Sequence, residues 1–284
     1  MADQEPGPVQ AGLVPWRRDE DGRVTVGVVR TARGSELPSR VVAGNHPLAA
    51  ALAAAPRGTR FGPPGPHVEA DGRAGSGVPG GWFWPVEVLG GLESLEWRLP
   101  GEVEVGEEDA VAAAVAGELG AVRQVVLVRH ARAGQRSQWD GPDAERPLDE
   151  RGRTQASALA DLLTTYAVER IHSSDSRRCL ETVEPLGAAL GLPVLAEPLL
   201  SEDGSARDPA GARQVLSDLV ARPGQAVVCT QRKTLDRVLG EVLTGLGIEA
   251  RSVEAPRKGG LLVLHLPVDA RGRASVEALA PPPS

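Results

Sequence analysis

Hydrophobic and polar residues follow different patterns in the two parts of this chain, and the change falls near residue 121. Beyond that point, short apolar runs alternate with segments whose apolar residues recur every three or four positions. Apolar runs are typical of strands buried on both faces of a parallel sheet, and the second pattern is typical of amphipathic helices. The alternation predicts an α/β domain over 121–284, in which helices cover both faces of a mostly parallel sheet.

Individual segments place the predicted elements of this domain. Strands are predicted at 125–128, in the stretch that ends at Ile171, and at 226–229 and 261–266. Helical spacing is kept by three sets of apolar residues, which are Ala156, Leu159, Ala160 and Leu163, then Cys179, Val183, Leu186 and Leu190, and finally Leu235, Val238, Leu239 and Val242. Ligands of open α/β sheets bind beyond the carboxyl ends of the strands, so we expect the site in the segments that follow them.

The pattern of the first 120 residues is less regular. Segments 11–30 and 81–98 favour strands, whereas 48–55 and 105–119 are rich in alanine and favour helices. Between them, residues 59–80 are rich in Gly and Pro, which predicts an irregular loop. A smaller domain of mixed α and β elements is therefore expected over 1–120.

Composition and charge exclude several classes of protein. A chain of 284 residues is long enough for two domains, and its formal net charge of -7 argues against a nucleic-acid partner. It contains no apolar run of about 18 residues that could span a membrane, and its N-terminus lacks the features of a signal peptide. Cys179 and Cys229 lie in different segments and fit reduced thiols better than a disulfide framework. We therefore expect a cytoplasmic protein.

The candidate chemistry begins where the first predicted strand of the second part ends. Arg129 and His130 follow this strand directly, and an Arg beside a His is a plausible start of an anion site. Polar residues also follow the later strands, where the sequence places Arg177 and Arg178, then Glu202, and finally Gln231. The carboxyl ends of parallel strands share one edge of a sheet, so these residues are expected to lie near one another.

These segments together resemble the histidine phosphatase (phosphoglycerate-mutase-like) superfamily over about 122–280. The matching motifs are Arg129-His130, the stretch with Leu148, Gly152, Gln155 and Ala156, and the stretch with Ser174, Arg178 and Thr182. The resemblance implies a phosphatase that needs no cofactor or metal. Its substrate would be a phosphorylated small molecule, a nucleotide that loses its terminal phosphate, or a protein phosphohistidine, and the oligomeric state stays open.

The resemblance also implies a role for each matching residue. His130 would be the nucleophile that forms a phosphohistidine, Arg129 and Arg178 would bind the phosphoryl oxygens, and Glu202 would be the general acid. Two neighbouring residues compete for these roles, Arg177 with Arg178 and Asp203 with Glu202.

One position departs from the pattern of the superfamily. Gln231 stands where the superfamily usually has a second His, and its neutral amide can still donate a hydrogen bond to a phosphoryl oxygen. Nearby cations could compensate for the lost charge, among them Lys258, which precedes a pair of glycines, and Arg232 and Lys233. Either the phosphatase works with a Gln, or the protein binds phosphate with weak or no turnover.

The first part resembles a Nudix domain, in a fusion with a histidine phosphatase that is known from bacteria. The segments AGLVPWRR, VTVGVVR and ELPSR resemble its opening strands, and GWFWPVEV and LESLEWRLPGE its closing strands. Nudix chemistry needs a helix of clustered carboxylates that hold Mg²⁺, yet the chain has no Asp or Glu between residues 37 and 68. We therefore predict a degenerate, metal-free Nudix-like domain over 1–120, with a Nudix-type nucleotide pyrophosphatase as a third alternative.

Overall fold

The chain divides into two compact units, Met1–Gly120 and Ala121–Ser284. The computed structural model describes residues 10–31, 34–42, 46–57, 59–70, 81–91, 93, 95–103, 122–268 and 273–282. The helix predicted at 105–119 lies outside these residues. Within the described ranges, no helix is long and apolar enough to cross a membrane.

The first unit contains an eight-stranded sheet and a short helix. The strands are β1 (Gln10–Arg18), β2 (Val24–Thr31), β3 (Gly34–Glu36), β4 (Ser39–Val41), β5 (Arg60–Phe61), β6 (Val68–Ala70), β7 (Gly81–Gly90) and β8 (Glu96–Arg98), and the helix is α1 (Pro47–Ala53). The central path of the sheet is β3-β2-β1-β7-β5, with β4 paired to β1, β6 to β7 and β8 to β2. The strands predicted in 11–30 form the antiparallel pair β1–β2.

The prediction of an irregular loop over 59–80 needs correction in its described part. Residues 59–70 include β5 and β6, and both pair antiparallel with β7. Pairing with a long neighbouring strand satisfies the backbone hydrogen bonds of these short segments in spite of their Gly and Pro content, so tertiary context outweighs local propensity here. Residues 71–80 lie outside the described ranges.

The second unit is an α/β domain built on a six-stranded sheet. Its strands are β9 (Val122–Arg129), β10 (Arg170–Ser173), β11 (Val194–Ala196), β12 (Ala226–Thr230), β13 (Leu261–Pro267) and β14 (Ser275–Leu279). Its helices are α2 (Glu150–Leu163), α3 (Arg177–Leu190), α4 (Glu202–Arg207), α5 (Pro209–Ala221) and α6 (Arg232–Gly245). The strand order is β11-β10-β12-β9-β13-β14, and the first four strands are parallel to one another. The predicted fold class is confirmed.

Packing on one face of this sheet shows why its helices are amphipathic. The stripe of α6 and the apolar positions of α5 pack against alternate residues of β9 and β13, such as Leu127 and Leu262, in one buried cluster. On the other side α3 contacts β10 and β12, and α2 packs against α3. Elements with no counterpart among the predictions include the helices α4 and α5 and the edge strand β14, which runs antiparallel to β13.

The topology brings the carboxyl ends of β9, β10 and β12 to one edge of the sheet. The amide of His130 donates to the carbonyl of Thr230 at 3.0 Å, and that of Ser174 donates to the carbonyl of Cys229 at 2.8 Å. These bonds hold the segments that follow the three strands beside one another, which is where the candidate residues lie.

Candidate active site

His130 lies directly beyond β9 and is 6% exposed. Its Nδ1 is 2.7 Å from the carbonyl oxygen of Ala131. A carbonyl oxygen can only accept, so Nδ1 carries the proton, and the neutral ring keeps its lone pair on Nε2. The ring is thus oriented with its nucleophilic nitrogen available.

Burial is the main reason why this ring is neutral. Together with the charges of Arg178, Arg129 and Lys258, it lowers the pKa of His130 to about 3, although the bond to Ala131 acts in the opposite direction. A buried cation beside other cations is unfavourable, whereas a neutral imidazole is not. At neutral pH the imidazole ring of His130 is therefore neutral, although three positive side chains act on it.

The loop that carries His130 is held by α3 on one side. The amide of Ala131 donates to Thr182 Oγ1 at 3.0 Å, and this hydroxyl donates in turn to the carbonyl of Arg178 at 2.6 Å. Thr182 is 1% exposed. One hydroxyl thus connects the loop after the histidine to the first turn of the helix that carries Arg178.

The segment before β13 holds the same loop from another side. The amide of Gly259 donates to the carbonyls of Arg129, at 2.9 Å, and His130, at 3.1 Å. Gly259 has a φ of +75°, which strongly favours glycine, and a Cβ there would overlap the amide group of Gln155. Gly259, which follows Lys258, therefore allows the backbone of this segment to approach the loop of His130 closely.

Gln155 and Gly152 of α2 complete this support. Gln155 Oε1 accepts from the amide of Arg132 at 3.1 Å, and its Nε2 donates to the carbonyl of Lys258 at 3.2 Å. A Cβ at Gly152 would overlap the carbonyl oxygen of Arg132. Only glycine at this position therefore lets α2 approach the backbone of Arg132 so closely. These two motif residues connect the loop after His130 to α2 and to the loop before β13.

The two adjacent arginines at the start of α3 point in different directions. Arg178 is 2% exposed, and its Nη1 and Nη2 contact the backbone oxygen and Oδ2 of Asp143 at 2.6 and 3.1 Å. Its Nε is buried and has no hydrogen-bond partner among the described residues. Arg177 is exposed and forms an ion pair with Glu181 at 2.7 Å. Of the two competing arginines, Arg178 is the one beside His130.

Arg129 directly precedes His130 in the sequence and is partly buried. Its Nη1 donates to the carbonyl of Pro256 at 3.0 Å, and its Nε is a second buried donor with no partner in the described part of the chain. Burial and the charge of Arg232 lower the pKa of Arg129, whereas Asp236 and Glu202 raise it. Two buried, unsatisfied guanidinium donors beside a neutral histidine are suited to binding an anion.

Glu202 begins α4, where Ser201 caps the helix. Its side chain is 26% exposed and contacts Lys233 Nζ at 3.2 Å. Its charge acts on Arg129, which places it close to the arginine. The competing Asp203 is exposed.

Gln231 follows β12 and is 1% exposed. Its Nε2 donates to Ser176 Oγ at 2.6 Å, whereas its Oε1 is buried and has no hydrogen-bond partner among the described residues. The side-chain amide of Gln231 is therefore held on one side by Ser176, the residue directly before α3. A serine hydroxyl can both donate and accept, so Ser176 can hold the amide of Gln231 in either orientation.

Lys258 is exposed and forms no ion pair with any residue that the structure describes. Partial burial and the charges of Arg129, Arg146 and Arg132 lower the pKa of its ammonium group. Lys258, Arg129, Arg132 and Arg146 thus form a group of four cationic side chains at the site.

Two residues at the site have no counterpart in the sequence prediction. Asp143 belongs to a short 3-10 helix, Asp143–Glu145, and lies between the recognised motifs. Ser176 occupies an N-cap position but does not cap α3 with its hydroxyl. No spacing rule connects Asp143 with Arg178, 35 positions away, or Ser176 with Gln231, 55 positions away, because both contacts depend on the folded chain.

The prediction that the domain over residues 1–120 is metal-free concerns a part of the chain that the structure describes incompletely. In the described ranges, no group of three or more His, Cys, Asp or Glu side chains is arranged to hold a metal ion. The Nudix-like character of residues 1–120 stays a prediction.

Residues 125–206, which lie in the second unit, match the sequence profile of the histidine phosphatase superfamily (branch 1). A curated relative from Mycolicibacterium smegmatis, named 8-oxo-(d)GTP phosphatase, is 34% identical over 166 residues, which cover 54% of this chain and 51% of the relative. The chain thus spans about half the length of this relative.

Solved structures similar to the chain include two phosphatases. One is the protein histidine phosphatase SixA complexed with tungstate, which is 21% identical, with a TM-score of 0.41, and covers 56% of this chain and 97% of its own. The other is a mycobacterial glucosyl-3-phosphoglycerate phosphatase, which is 18% identical, with a TM-score of 0.41, and covers 56% of this chain and 98% of its own.

Proposed function

We propose that the second unit hydrolyses a phosphorylated small molecule through a phosphohistidine on Nε2 of His130. The observation that carries this proposal is the state of the ring. It is buried and neutral, it donates from Nδ1 to Ala131, and the charges of Arg178, Arg129 and Lys258 act on it. A histidine held in this tautomer can attack phosphorus without first losing a proton.

In the first step the lone pair of Nε2 forms a bond to phosphorus while the bond from phosphorus to the leaving oxygen breaks. Glu202, in its protonated form, supplies the proton that this oxygen needs. Arg129 and Arg178 donate to the phosphoryl oxygens, where charge is spread in the transition state. The two guanidinium Nε–H groups that have no described partner are the donors available for this contact.

In the second step a water molecule attacks the phosphohistidine. The carboxylate of Glu202 accepts a proton from this water, the bond between phosphorus and Nε2 breaks, and the ring regains its lone pair. The products are inorganic phosphate and an enzyme in its starting state. Two easier displacements replace one difficult hydrolysis.

For the substrate we propose a nucleotide that loses its terminal phosphate. The relative from Mycolicibacterium smegmatis carries the name of a nucleoside triphosphate phosphatase, which supports this choice. The cations around Lys258 support it as well, because a polyphosphate chain brings more negative charge than a monoester. A panel of nucleoside triphosphates, diphosphates, simple phosphate esters and a phosphohistidine protein would compare these substrates directly.

The test of the mechanism uses wild type and His130→Ala with a generic aryl phosphate and a nucleoside triphosphate. We expect wild type to release phosphate, and to carry one acid-labile phosphoryl group when it is quenched in alkali during turnover. His130→Ala is expected to lose both signals. Equal rates in the two proteins would exclude the proposal.

A protein that binds phosphate without turnover is the second candidate, and the contacts of Gln231 favour it. The amide is neutral, and its Nε2 donates to Ser176. The variant Gln231→His separates the candidates. If wild type binds inorganic phosphate but is inert, and the variant gains turnover without gaining affinity, then the native chain is a binding protein.

A further inference from the structure

Arg178 is a buried cation, and Asp143 is its acidic partner in the described part of the chain. The side chain is 2% exposed, its Nη1 donates to the backbone oxygen of Asp143 at 2.6 Å, and its Nη2 lies 3.1 Å from Oδ2. A buried guanidinium is stable only when it is paired, and a partner that holds it in two places also fixes its orientation. The two contacts with Asp143 therefore fix the orientation of the Arg178 guanidinium.

Asp143 is itself held in place by a second arginine. Its Oδ1 accepts from Arg146 Nε at 2.9 Å, and its backbone oxygen accepts from the amide of Arg146 at 3.2 Å. The side chain of Arg146 is 12% exposed and also donates from Nη1 to the carbonyl of Gly134. The carboxylate is thus anchored from one side by Arg146 and contacts Arg178 from the other.

The two contacts leave a defined part of the Arg178 guanidinium unused. A guanidinium has five N–H groups in a rigid plane, and Asp143 engages one on each terminal nitrogen. The Nε–H has no partner among the described residues, and the charge of Arg178 acts on His130 more strongly than that of Arg129 or Lys258. The Nε–H group of Arg178 is therefore a buried donor that Asp143 leaves unoccupied.

We propose that Asp143 is a positioning residue, which holds Arg178 by its two terminal nitrogens so that the remaining N–H groups face the phosphoryl group bound at His130. This inference rests on the function proposed above. The opposite role would be competition, in which the carboxylate occupies the arginine in place of phosphate and must leave before phosphate binds. The two roles predict opposite changes in phosphate affinity when the negative charge of Asp143 is removed.

The experiment measures the dissociation constant of inorganic phosphate by calorimetry, and kcat and KM for an aryl phosphate, in the full chain. The variants are Asp143→Asn, which removes the charge at nearly constant shape, and Asp143→Glu, which keeps the charge but moves the carboxylate. Asp140→Asn is the matched control, because Asp140 is exposed in the same loop and has the same charge.

We expect Asp143→Asn to weaken phosphate binding by about tenfold or more, as for the loss of a charged hydrogen bond, and to lower kcat. Asp143→Glu should recover part of both values, and Asp140→Asn should match wild type. If Asp143→Asn does not fold, the conservative Asp143→Glu carries the test, and it should lower both values relative to Asp140→Asn.

Three results would overturn the inference. Tighter phosphate binding by Asp143→Asn would show competition, values equal to those of Asp140→Asn would show no role, and a loss of stability with an unchanged phosphate affinity would show a purely structural one. A wild-type protein that neither binds phosphate nor hydrolyses the ester would instead contradict the proposed function, so the two failures can be told apart.

Discussion

At the scale of single residues, the site depends on polar side chains that hold the backbone around His130. Gln155 bonds to the segments after β9 and before β13 at once, and Thr182 connects the first of these segments to α3. The bond of Thr182 is buried and those of Gln155 are partly buried, so the loss of each leaves a donor or acceptor that water satisfies less easily than at the surface. Gln155 and Thr182 thus hold the backbone that carries His130.

The ionisation of His130 makes the stability of the protein depend on pH. The ring has an ordinary pKa of 6.5, and in the folded protein the pKa is lowered to about 3. Between these values the unfolded chain binds more protons than the folded one, so the free energy of unfolding falls as the pH is lowered through this range. The effect amounts to about 1.4 kcal/mol for each unit of pKa difference.

Denaturant unfolding between pH 7 and pH 4 measures this contribution. The variant His130→Gln cannot titrate here, so its stability should fall less steeply with acid than that of wild type. Lowered carboxylate pKa values, such as that of Asp143, have the same sign but are present in both proteins and cancel in the comparison. Parallel curves would show that His130 is not buried as a neutral ring.

Gln155→Ala is expected to reduce stability and activity together. The variant leaves the amide of Arg132 and the carbonyl of Lys258 without their described partner, at a cost of about 1–3 kcal/mol. Urea unfolding and kcat/KM for an aryl phosphate measure the two effects. Gln214→Ala is the control, because this exposed glutamine bonds only to Asp218 on its own helix in the described structure, and it should behave as wild type.

At the scale of elements, helix α3 brings two functions to the site through its first turns. It carries the buried Arg178, and its Thr182 accepts from the amide of Ala131. Apolar residues such as Val183 and Leu186 are fully buried and anchor the same helix in the core. The position of the arginine relative to the histidine is thus set by the packing of one helix and by a single hydroxyl.

Thr182→Val tests this connection, since valine keeps the shape and removes the hydroxyl. We expect a loss of about 1–3 kcal/mol of stability, because the amide of Ala131 becomes a buried, unsatisfied donor, and a reduced kcat. Thr244→Val is a matched control. Thr244 also donates to a carbonyl four residues earlier in its helix, at 2.8 Å, but it is exposed. If both variants lose equal activity, the hydroxyl of Thr182 has no special role.

At the scale of the whole molecule, the chain has a net charge of -7, whereas the local charge at the site is positive. Arg129, Arg178 and Lys258 all act on His130, and Arg132 and Arg146 act on Lys258. Charges within about 10 Å are the ones that matter at moderate ionic strength, because salt screens the more distant ones. The local cations, rather than the overall charge, therefore dominate the electrostatic potential at His130.

Lys258→Ala is expected to raise KM for a nucleoside triphosphate several-fold and to change kcat little, because Lys258 contributes charge without a described ion pair. The KM of wild type should rise with salt, and that of the variant should rise less. Arg251→Ala is a control with the same loss of charge at an exposed position. An unchanged KM would exclude a role for Lys258 in binding.

The hydrophobic pattern by itself determined the α/β class of the second unit, the segments of its main strands and helices, and the motif residues at the carboxyl ends of those strands. Periodicity and spacing are local properties, and the parallel sheet follows from them through general rules of topology. That Gln231 stands where the histidine phosphatase superfamily usually has a histidine is implied by the resemblance of the sequence to that superfamily.

Only the tertiary structure decided which residues meet. It buried Arg178 and left Arg177 exposed, it set Asp143 against Arg178 and Ser176 against Gln231, and it showed that Gln155 bridges two loops. These outcomes depend on contacts between residues that lie far apart along the chain. Adjacent residues of a helix point in different directions, and a hydrogen bond forms only where packing brings donor and acceptor together, so no local pattern contains this information.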